Sequence, residues 1–304
     1  MKSIANIIAA TDFSQCARLA IDRAVMLSDL LQANLRLIHV RDLGVLESIR
    51  RMMGDARASS IDQVDNRLMK ELEDYLAVRH PRALQIPRLR LVSGQVVQTI
   101  LSEADAQIAD LVVVGAQGES QMLHSPVGSI ASRLLRKSQS YPVLLVKQVP
   151  ECHYRRIIIA IDFSPVSYSL VRMAKRIAPD AELILLHAFE LPYEEKLSIA
   201  GLNRDDINHM IREEGICRRH LLQRFIQDSG MEALPISARV VHGAPARVIV
   251  DASKEKECDL VIVGKHGSSA IEEFFIGSVT KHLLSELKHD ILVMTDKRPP
   301  PELL

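Results

Sequence analysis

The chain has 304 residues, enough for two domains that each bury a core, and its 38 Lys and Arg residues balance 38 Asp and Glu residues. A formal charge of zero gives no electrostatic footprint for nucleic acid or anionic lipid, so neither nucleic acid nor a membrane is expected as a partner. Four cysteines without a CxxC or metal spacing indicate reduced thiols, and no apolar stretch approaches the ~20 residues that cross a bilayer, so a cytoplasmic protein is expected.

Short apolar runs in the first half predict buried strands, and they alternate with segments of helical spacing. The strands are predicted at 4–10, 34–40, 84–92, 111–114 and 142–146. Ser14 is a good N-cap for the first helix. Further helices are predicted near 61–76, 97–104 and 129–137. Strands that alternate with helices predict an α/β fold with a parallel sheet covered on both faces.

The second half repeats this order. Asp12 and Asp162 are 150 residues apart (162 − 12), and Gly94 and Gly243 are 149 apart (243 − 94). Pro165 favours a helix start. Strands are predicted at 156–161, 182–187, 236–242, 259–263 and 290–294, and further helices at 206–228 and 245–256. We therefore predict one fold duplicated, with domains at 1–148 and 154–296 and a proline-rich tail at 297–304.

A glycine pattern follows the fourth apolar run of each half. Gly115-Ala-Gln-Gly118 is followed after nine residues by Gly128-Ser129, and Gly264-Lys-His-Gly267 is followed after nine residues by Gly277-Ser278. The two copies are 149 residues apart (264 − 115 and 277 − 128). Strand, glycine loop and helix start form the geometry in which backbone N–H groups gather round a phosphate. A single loop of this kind fits a plain turn equally well, but two matched copies favour anion binding.

In open parallel sheets, ligands bind beyond the carboxyl ends of the strands, where the strand order reverses. If strands 1 and 4 flank the reversal, Asp12 meets the loop 115–128 and Asp162 meets the loop 264–277. Helix capping is an alternative role for both aspartates. His39 and His187 are interpreted as core histidines with satisfied hydrogen bonds rather than as ligands.

The two glycine patterns, together with the Asp-Phe-Ser endings of the first strands and the histidines near the ends of the second strands, resemble the universal stress protein family in its tandem form. The resemblance covers nearly the whole chain. It implies two repeated Rossmann-like domains, each a five-stranded parallel sheet in the order 3-2-1-4-5 with helices on both faces. It also implies pairing through the fifth strands, here an intramolecular pseudo-dimer through 142–146 and 290–294, and it leaves room for a homodimer.

The resemblance further implies that ATP, with or without Mg²⁺, binds in each crevice. Asp12 and Asp162 would contact the adenosine moiety. The backbone at Val40 and Ala188 would reach the adenine. The ribose and phosphates would be held by Val114, Gly115, Gly118, Gly128, Ser129 and Ile130 in the first half, and by Val263, Gly264, Gly267, Gly277, Ser278 and Val279 in the second.

The two loops differ in charge, which predicts two sites of unequal affinity. The second loop carries Lys265 and His266 beside its first glycine, which suits phosphate, whereas the first has uncharged residues there. Pro126 removes one backbone N–H from the first loop. The tighter site is therefore expected in the second half.

The function expected from these features is that of a nucleotide-binding regulator or sensor of the stress response. The main alternative is a slow ATPase or nucleotidyl transferase, although the chain has no P-loop lysine and neither glycine loop carries an obvious general base. Another alternative is an interaction scaffold, or a pocket adapted to a nucleotide-sugar or a lipid. An intact motif argues against a complete loss of binding.

Overall fold

The computed structural model describes residues 3–42, 44, 55–81, 89–118, 127–192, 194, 199–231, 236–266 and 276–294. The chain divides into two compact units, Met1–His153 and Tyr154–Leu304. Pro126, Gly267 and the predicted tail at 297–304 lie outside the described residues, as does the start of the predicted strand 84–92.

The first unit alternates strands and helices as the sequence predicts. Its strands are β1 (Asn6–Ala10), β2 (Asn34–Asp42), β3 (Leu89–Gly94), β4 (Leu111–Gly115) and β5 (Val143–Val146). Its helices are α1 (Gln15–Leu31), α2 (Asp55–Arg79), α3 (Val96–Ala106) and α4 (Ser129–Lys137). The sheet has the order β3-β2-β1-β4-β5, and each neighbouring pair is parallel. The strand order therefore reverses between β1 and β4.

The second unit repeats the architecture. Its strands are β6 (Arg156–Ala160), β7 (Glu182–Phe189), β8 (Ile236–His242), β9 (Leu260–Gly264) and β10 (Asp290–Met294). Its helices are α5 (Pro165–Ile177), α6 (Arg204–Asp228), α7 (Pro245–Glu255) and α8 (Ser278–Glu286). The order is β8-β7-β6-β9-β10, again with parallel pairs. The predicted α/β class and the strand order 3-2-1-4-5 are confirmed in both units.

The central strands form the core of each unit. The apolar runs 111–114 and 260–263 are at most 6% exposed at every residue, as expected for strands covered on both faces. The Ser14 hydroxyl accepts from the Ala17 N–H at the start of α1, and Pro165 occupies the first turn of α5, so both predicted helix starts are confirmed.

Helix α2 is longer than the predicted segment 61–76. It begins at Asp55 and ends at Arg79, because the polar residues beyond the apolar stripe continue the helix without adding to its periodicity. Strand β2 likewise continues to Asp42, two residues past the predicted end. No helix in the part of the chain that the structure describes is long and apolar enough to cross a membrane.

A strained turn follows the first strand of each unit. Phe13 has a φ angle of 64° and Phe163 has one of 63°, in the left-handed region that residues with a Cβ rarely adopt. The Phe13 ring packs against His39 with centroids 4.6 Å apart, and the Phe163 ring packs against His187 at 4.3 Å. Ring packing thus holds a backbone conformation that phenylalanine disfavours, next to the aspartate in each turn.

Candidate functional site

The first unit has a cleft at the carboxyl ends of β1 and β4, with a volume of about 260 Å³. All eight residues that the sequence singled out in this half line it: Asp12, Val40, Val114, Gly115, Gly118, Gly128, Ser129 and Ile130. His39 lies in the wall as well, although the sequence interpretation placed it in the core. The reversal of strand order brings these segments together, as the general rule for parallel sheets predicts.

Asp12 shapes the turn at the edge of this cleft. Its Oδ1 accepts from the Ser14 backbone N–H at 3.0 Å. Ser14, and not Asp12, caps α1, because its own hydroxyl accepts from the Ala17 N–H at 3.2 Å. The alternative interpretation of Asp12 as the helix cap is therefore wrong for this unit. Its carboxylate lies exposed at the cleft.

Two glycines make close approaches here. A Cβ on Gly115 would lie 2.8 Å from the backbone carbon and oxygen of Cys16, so only glycine lets the end of β4 pass the start of α1. A Cβ on Gly118 would lie 2.5 Å from the Asp12 Oδ2, at the end of a side chain that can move. The loop and the aspartate therefore face each other, and a larger side chain at Gly118 would displace the Asp12 carboxylate.

The start of α4 supplies backbone donors to the cleft. Gly128 is the N-cap, and it offers no side-chain hydrogen bond to the first turn. Its own N–H donates to the Ala116 oxygen at 2.7 Å, which closes the loop. The first-turn residues Ser129, Ile130 and Ala131 all line the cleft. An uncapped helix N-terminus with a positive dipole end suits an anion such as phosphate.

The second unit has a corresponding cleft of about 460 Å³. It is lined by seven of the eight residues singled out in this half: Asp162, Ala188, Val263, Gly264, Gly277, Ser278 and Val279. Gly267 is the eighth, and it lies outside the described residues. The Gly277 N–H donates to the Lys265 oxygen at 2.9 Å, which repeats the loop closure of the first unit.

Asp162 accepts from two serine hydroxyls as well as from the backbone. Its Oδ1 accepts from the Ser164 N–H at 3.0 Å, from the Ser164 hydroxyl at 2.5 Å and from the Ser167 hydroxyl at 3.0 Å. The first unit has Ala17 where the second has Ser167, so it has no hydroxyl at that position. The second turn therefore holds its half-buried carboxylate in part through a residue that the first turn lacks.

Lys265 does not reach the second cleft. Its side chain is only 1% exposed, and the residue is not part of the cleft wall, whereas its neighbours Gly264 and His266 are. The prediction that Lys265 would assist phosphate binding is thus wrong, because it assumed that the side chain lies in the cleft. The residue after the first glycine packs inward in both units, since Ala116 is also buried.

The two strand-end histidines have matching backbone contacts. His39 Nδ1 lies 2.8 Å from the Thr11 oxygen, and His187 Nδ1 lies 2.9 Å from the Ile161 oxygen, so each Nδ1 donates. Burial of His187 lowers its pKa, which keeps the ring neutral. Its Nε2 has no hydrogen-bond partner within the described part of the chain. For His187, the expectation of fully satisfied ring nitrogens therefore holds at Nδ1 only.

Sequence reasoning missed two polar contacts at the helix starts. Arg133 reaches back from α4, where its Nε donates to the Ser129 oxygen at 3.2 Å. In the second unit the Thr280 hydroxyl donates to the Gly264 oxygen at 2.7 Å, which ties α8 to the end of β9. The i to i+4 spacing of Ser129 and Arg133 was the available signal for the first contact.

Both halves of the chain are similar to universal stress proteins. The sequence model of the universal stress protein family matches residues 4–147 and again residues 153–295. A universal stress protein of Methanocaldococcus jannaschii is 25% identical over 159 residues, which covers 47% of this chain and 96% of the relative. A universal stress protein E homolog of Haemophilus influenzae is 25% identical over 243 residues, which covers 73% of this chain and 77% of the relative.

Solved structures agree with the fold. A universal stress protein from Archaeoglobus fulgidus superposes with a TM-score of 0.65 at 16% identity, covering 97% of this chain and 99% of that one. A putative universal stress protein from Pseudomonas aeruginosa gives a TM-score of 0.64 at 17% identity, covering 96% and 93%. These similarities extend over both units.

Proposed function

The chain belongs to the universal stress protein family, and on this premise we propose that it is a nucleotide-binding regulator or sensor of the stress response. The observation that carries the proposal is repeated in each unit. A glycine loop, an uncapped helix start and a first-strand aspartate border one cleft at the point where the strand order reverses. Such an arrangement offers donors for phosphate and an acceptor for ribose or base.

ATP is the proposed ligand, as the resemblance to the family implies. The glycine loops and the starts of α4 and α8 would hold the phosphates, and Asp12 and Asp162 would accept from the adenosine moiety. In the described ranges no group of three His, Cys, Asp or Glu residues could hold a metal ion.

The test is direct identification of the ligand. Mass spectrometry of the purified chain under native conditions is expected to show bound nucleotide, and calorimetry with ATP is expected to show saturable binding. A co-purifying nucleotide-sugar or lipid would instead favour an adapted pocket. A chain that carries no small molecule and binds no nucleotide would favour the interaction scaffold.

Hydrolysis of ATP is expected to be very slow or absent, because neither glycine loop carries the lysine of a P-loop. A turnover of ~1 per second or above is usual for enzymes. If such a rate is measured and is lost in Ser278→Ala, the slow ATPase alternative understates the activity and the protein is an enzyme.

Two copies of the family in one chain support the predicted pairing of the halves through 142–146 and 290–294. This pairing, a homodimer and a cytoplasmic location stay predictions.

A further inference from the structure

Arg133 lies in the second turn of α4, beside the wall of the first cleft but not part of it. Its Nε donates to the Ser129 oxygen at 3.2 Å, and its Nη2 lies 3.5 Å from the Ser129 Oγ. Residues four apart share one helix face, and side chains on a helix lean toward its N-terminus. The guanidinium is therefore held beside the serine that lines the cleft.

A cation at this end of a helix is electrostatically unfavourable unless an anion is present. The N-terminus of a helix carries a partial positive charge. The first turn of α4 has no acidic residue, and Gly128 provides no side-chain cap. Arg136 and Lys137 lie in the last turn, where the helix dipole favours positive charge. Arg133 thus directs its positive charge toward the N-terminus of the helix. This placement is unfavourable for the stability of the helix but favourable for binding a phosphate there.

The guanidinium also has donors to offer. Arginine carries five N–H groups, and the two contacts with Ser129 engage only Nε and Nη2. The planar arrangement of the other donors matches the oxygens of a phosphate group. Arg133 is exposed, so its far end can turn toward a ligand at little cost.

The second cleft is built differently at the same place. His282 follows Ser278 by four residues, as Arg133 follows Ser129 (282 − 278 and 133 − 129). Lys281 stands one position earlier and is exposed. Among the described residues, neither side chain makes the contact with Ser278 that Arg133 makes with Ser129. The buried Lys265 does not compensate, because it is not part of the cleft wall, whereas His266 does line that wall.

We propose that Arg133 binds the distal phosphates of a nucleotide and makes the first cleft selective for nucleoside di- and triphosphates. The second cleft, which lacks this contact, discriminates less between charged and uncharged nucleosides. The inference rests on the proposed function, since it assumes that both clefts bind nucleosides, and it specifies which part of the ligand the first cleft recognises. It reverses the order of affinities for ATP that Lys265, His266 and Pro126 led us to expect from the sequence.

The test is hydrogen exchange by mass spectrometry on the full chain, titrated with adenosine, AMP, ADP and ATP. Protection of 127–137 reports the first cleft, and protection of 276–286 reports the second. In Arg133→Gln, the affinity of the first cleft for ATP is expected to fall about tenfold, the scale of one charge-assisted hydrogen bond, while its affinity for adenosine stays the same. Lys137→Gln removes the same charge from the other end of α4 and should leave both affinities unchanged.

A conservative variant separates ligand contact from a structural role. Arg133→Lys keeps the charge and should retain most of the preference for ATP over adenosine, although it loses the planar fork. The inference fails if Arg133→Gln weakens ATP and adenosine equally, if it weakens neither, or if Arg133→Lys behaves like Arg133→Gln. If neither segment of the unmodified chain is protected by any nucleotide, the proposed function fails as well, and that result is distinguishable from the others.

Discussion

At the scale of single residues, the two strand-ending glycines differ in how tightly the chain encloses them. We expect Gly115→Ala to destabilise the first unit by about 2 kcal/mol, a typical cost of overpacking, because its Cβ would lie 2.8 Å from the Cys16 backbone. Gly264→Ala is the matched control in the second unit. Its Cβ would lie 3.0 Å from the His266 oxygen and 3.4 Å from the Val166 Cγ1, so a smaller loss is expected. Urea denaturation measures both, and equal losses would contradict the steric argument.

The buried His187 predicts a pH dependence of stability. Burial lowers its pKa below the ordinary 6.5, so the unfolded chain binds a proton at a higher pH than the folded chain. The stability linked to this residue is therefore full above pH 6.5 and is lost as the pH falls from 6.5 toward the folded pKa.

His187→Asn isolates this effect, since an amide donates to the Ile161 oxygen but does not titrate. The free energy of unfolding of this variant, measured by urea denaturation between pH 5 and pH 7, should fall less on acidification than that of the unmodified chain. A steeper slope in His187→Asn would show that the sign is wrong.

At the scale of elements, a polar cluster joins α2 to α1. The Tyr75 hydroxyl donates to the Asp22 Oδ2 at 2.7 Å, and His80 Nε2 lies 2.9 Å from the Asp22 Oδ1. Asp22 is only 2% exposed. Burial and the bond to Asp22 raise the pKa of Tyr75 to about 12. This carboxylate therefore depends for its hydrogen bonds on Tyr75 of α2 and on His80, which directly follows that helix.

We expect Tyr75→Phe to destabilise the first unit by about 1–2 kcal/mol, because a buried acceptor loses a donor. Hydrogen exchange along α2 should quicken, since the helix is then held less firmly to α1. Val78→Ala is the control, as Val78 is 83% exposed on the same helix. Unchanged exchange in Tyr75→Phe would contradict a contribution of this hydrogen bond to holding α2 in place.

At the scale of the whole molecule, the duplication predicts two ligand sites per chain. Each unit forms a cleft from its own residues, so calorimetry with ATP should give a stoichiometry near two. Gly118→Val should lower it to one, because a Cβ there would lie 2.5 Å from the Asp12 Oδ2. Val149→Ala, at an exposed position, should keep both sites. A stoichiometry of one in the unmodified chain would contradict two working sites.

The sequence predicted the duplicated α/β architecture because apolar runs and glycine spacing are local patterns that buried parallel strands require. The sequence also predicted that Asp12 lies opposite the loop 115–128, because the rule that locates ligand sites in parallel sheets requires only the strand order. Lys265 shows the limit of such reasoning. Whether a side chain beside a turn glycine points inward or into the cleft is decided by packing that no local pattern records.

The left-handed turns at Phe13 and Phe163 were equally hidden, since no glycine or asparagine signals them. Their stability comes from rings that pack against histidines distant in sequence. The reach of Arg133 was visible as a spacing, but only the structure shows that the guanidinium lies against Ser129. Contacts that depend on tertiary packing account for most of what the sequence left open.

The Phe163 turn joins the second cleft to a long helix. The Phe163 ring lies 6.2 Å from the ring of Phe225, which belongs to α6, and 4.3 Å from the ring of His187 in β7. The residue beside Asp162 is therefore in contact with a helix as well as with the sheet. We expect a ligand that binds at Asp162 to slow hydrogen exchange in the part of α6 around Phe225, because ordering the turn also orders what packs against its ring.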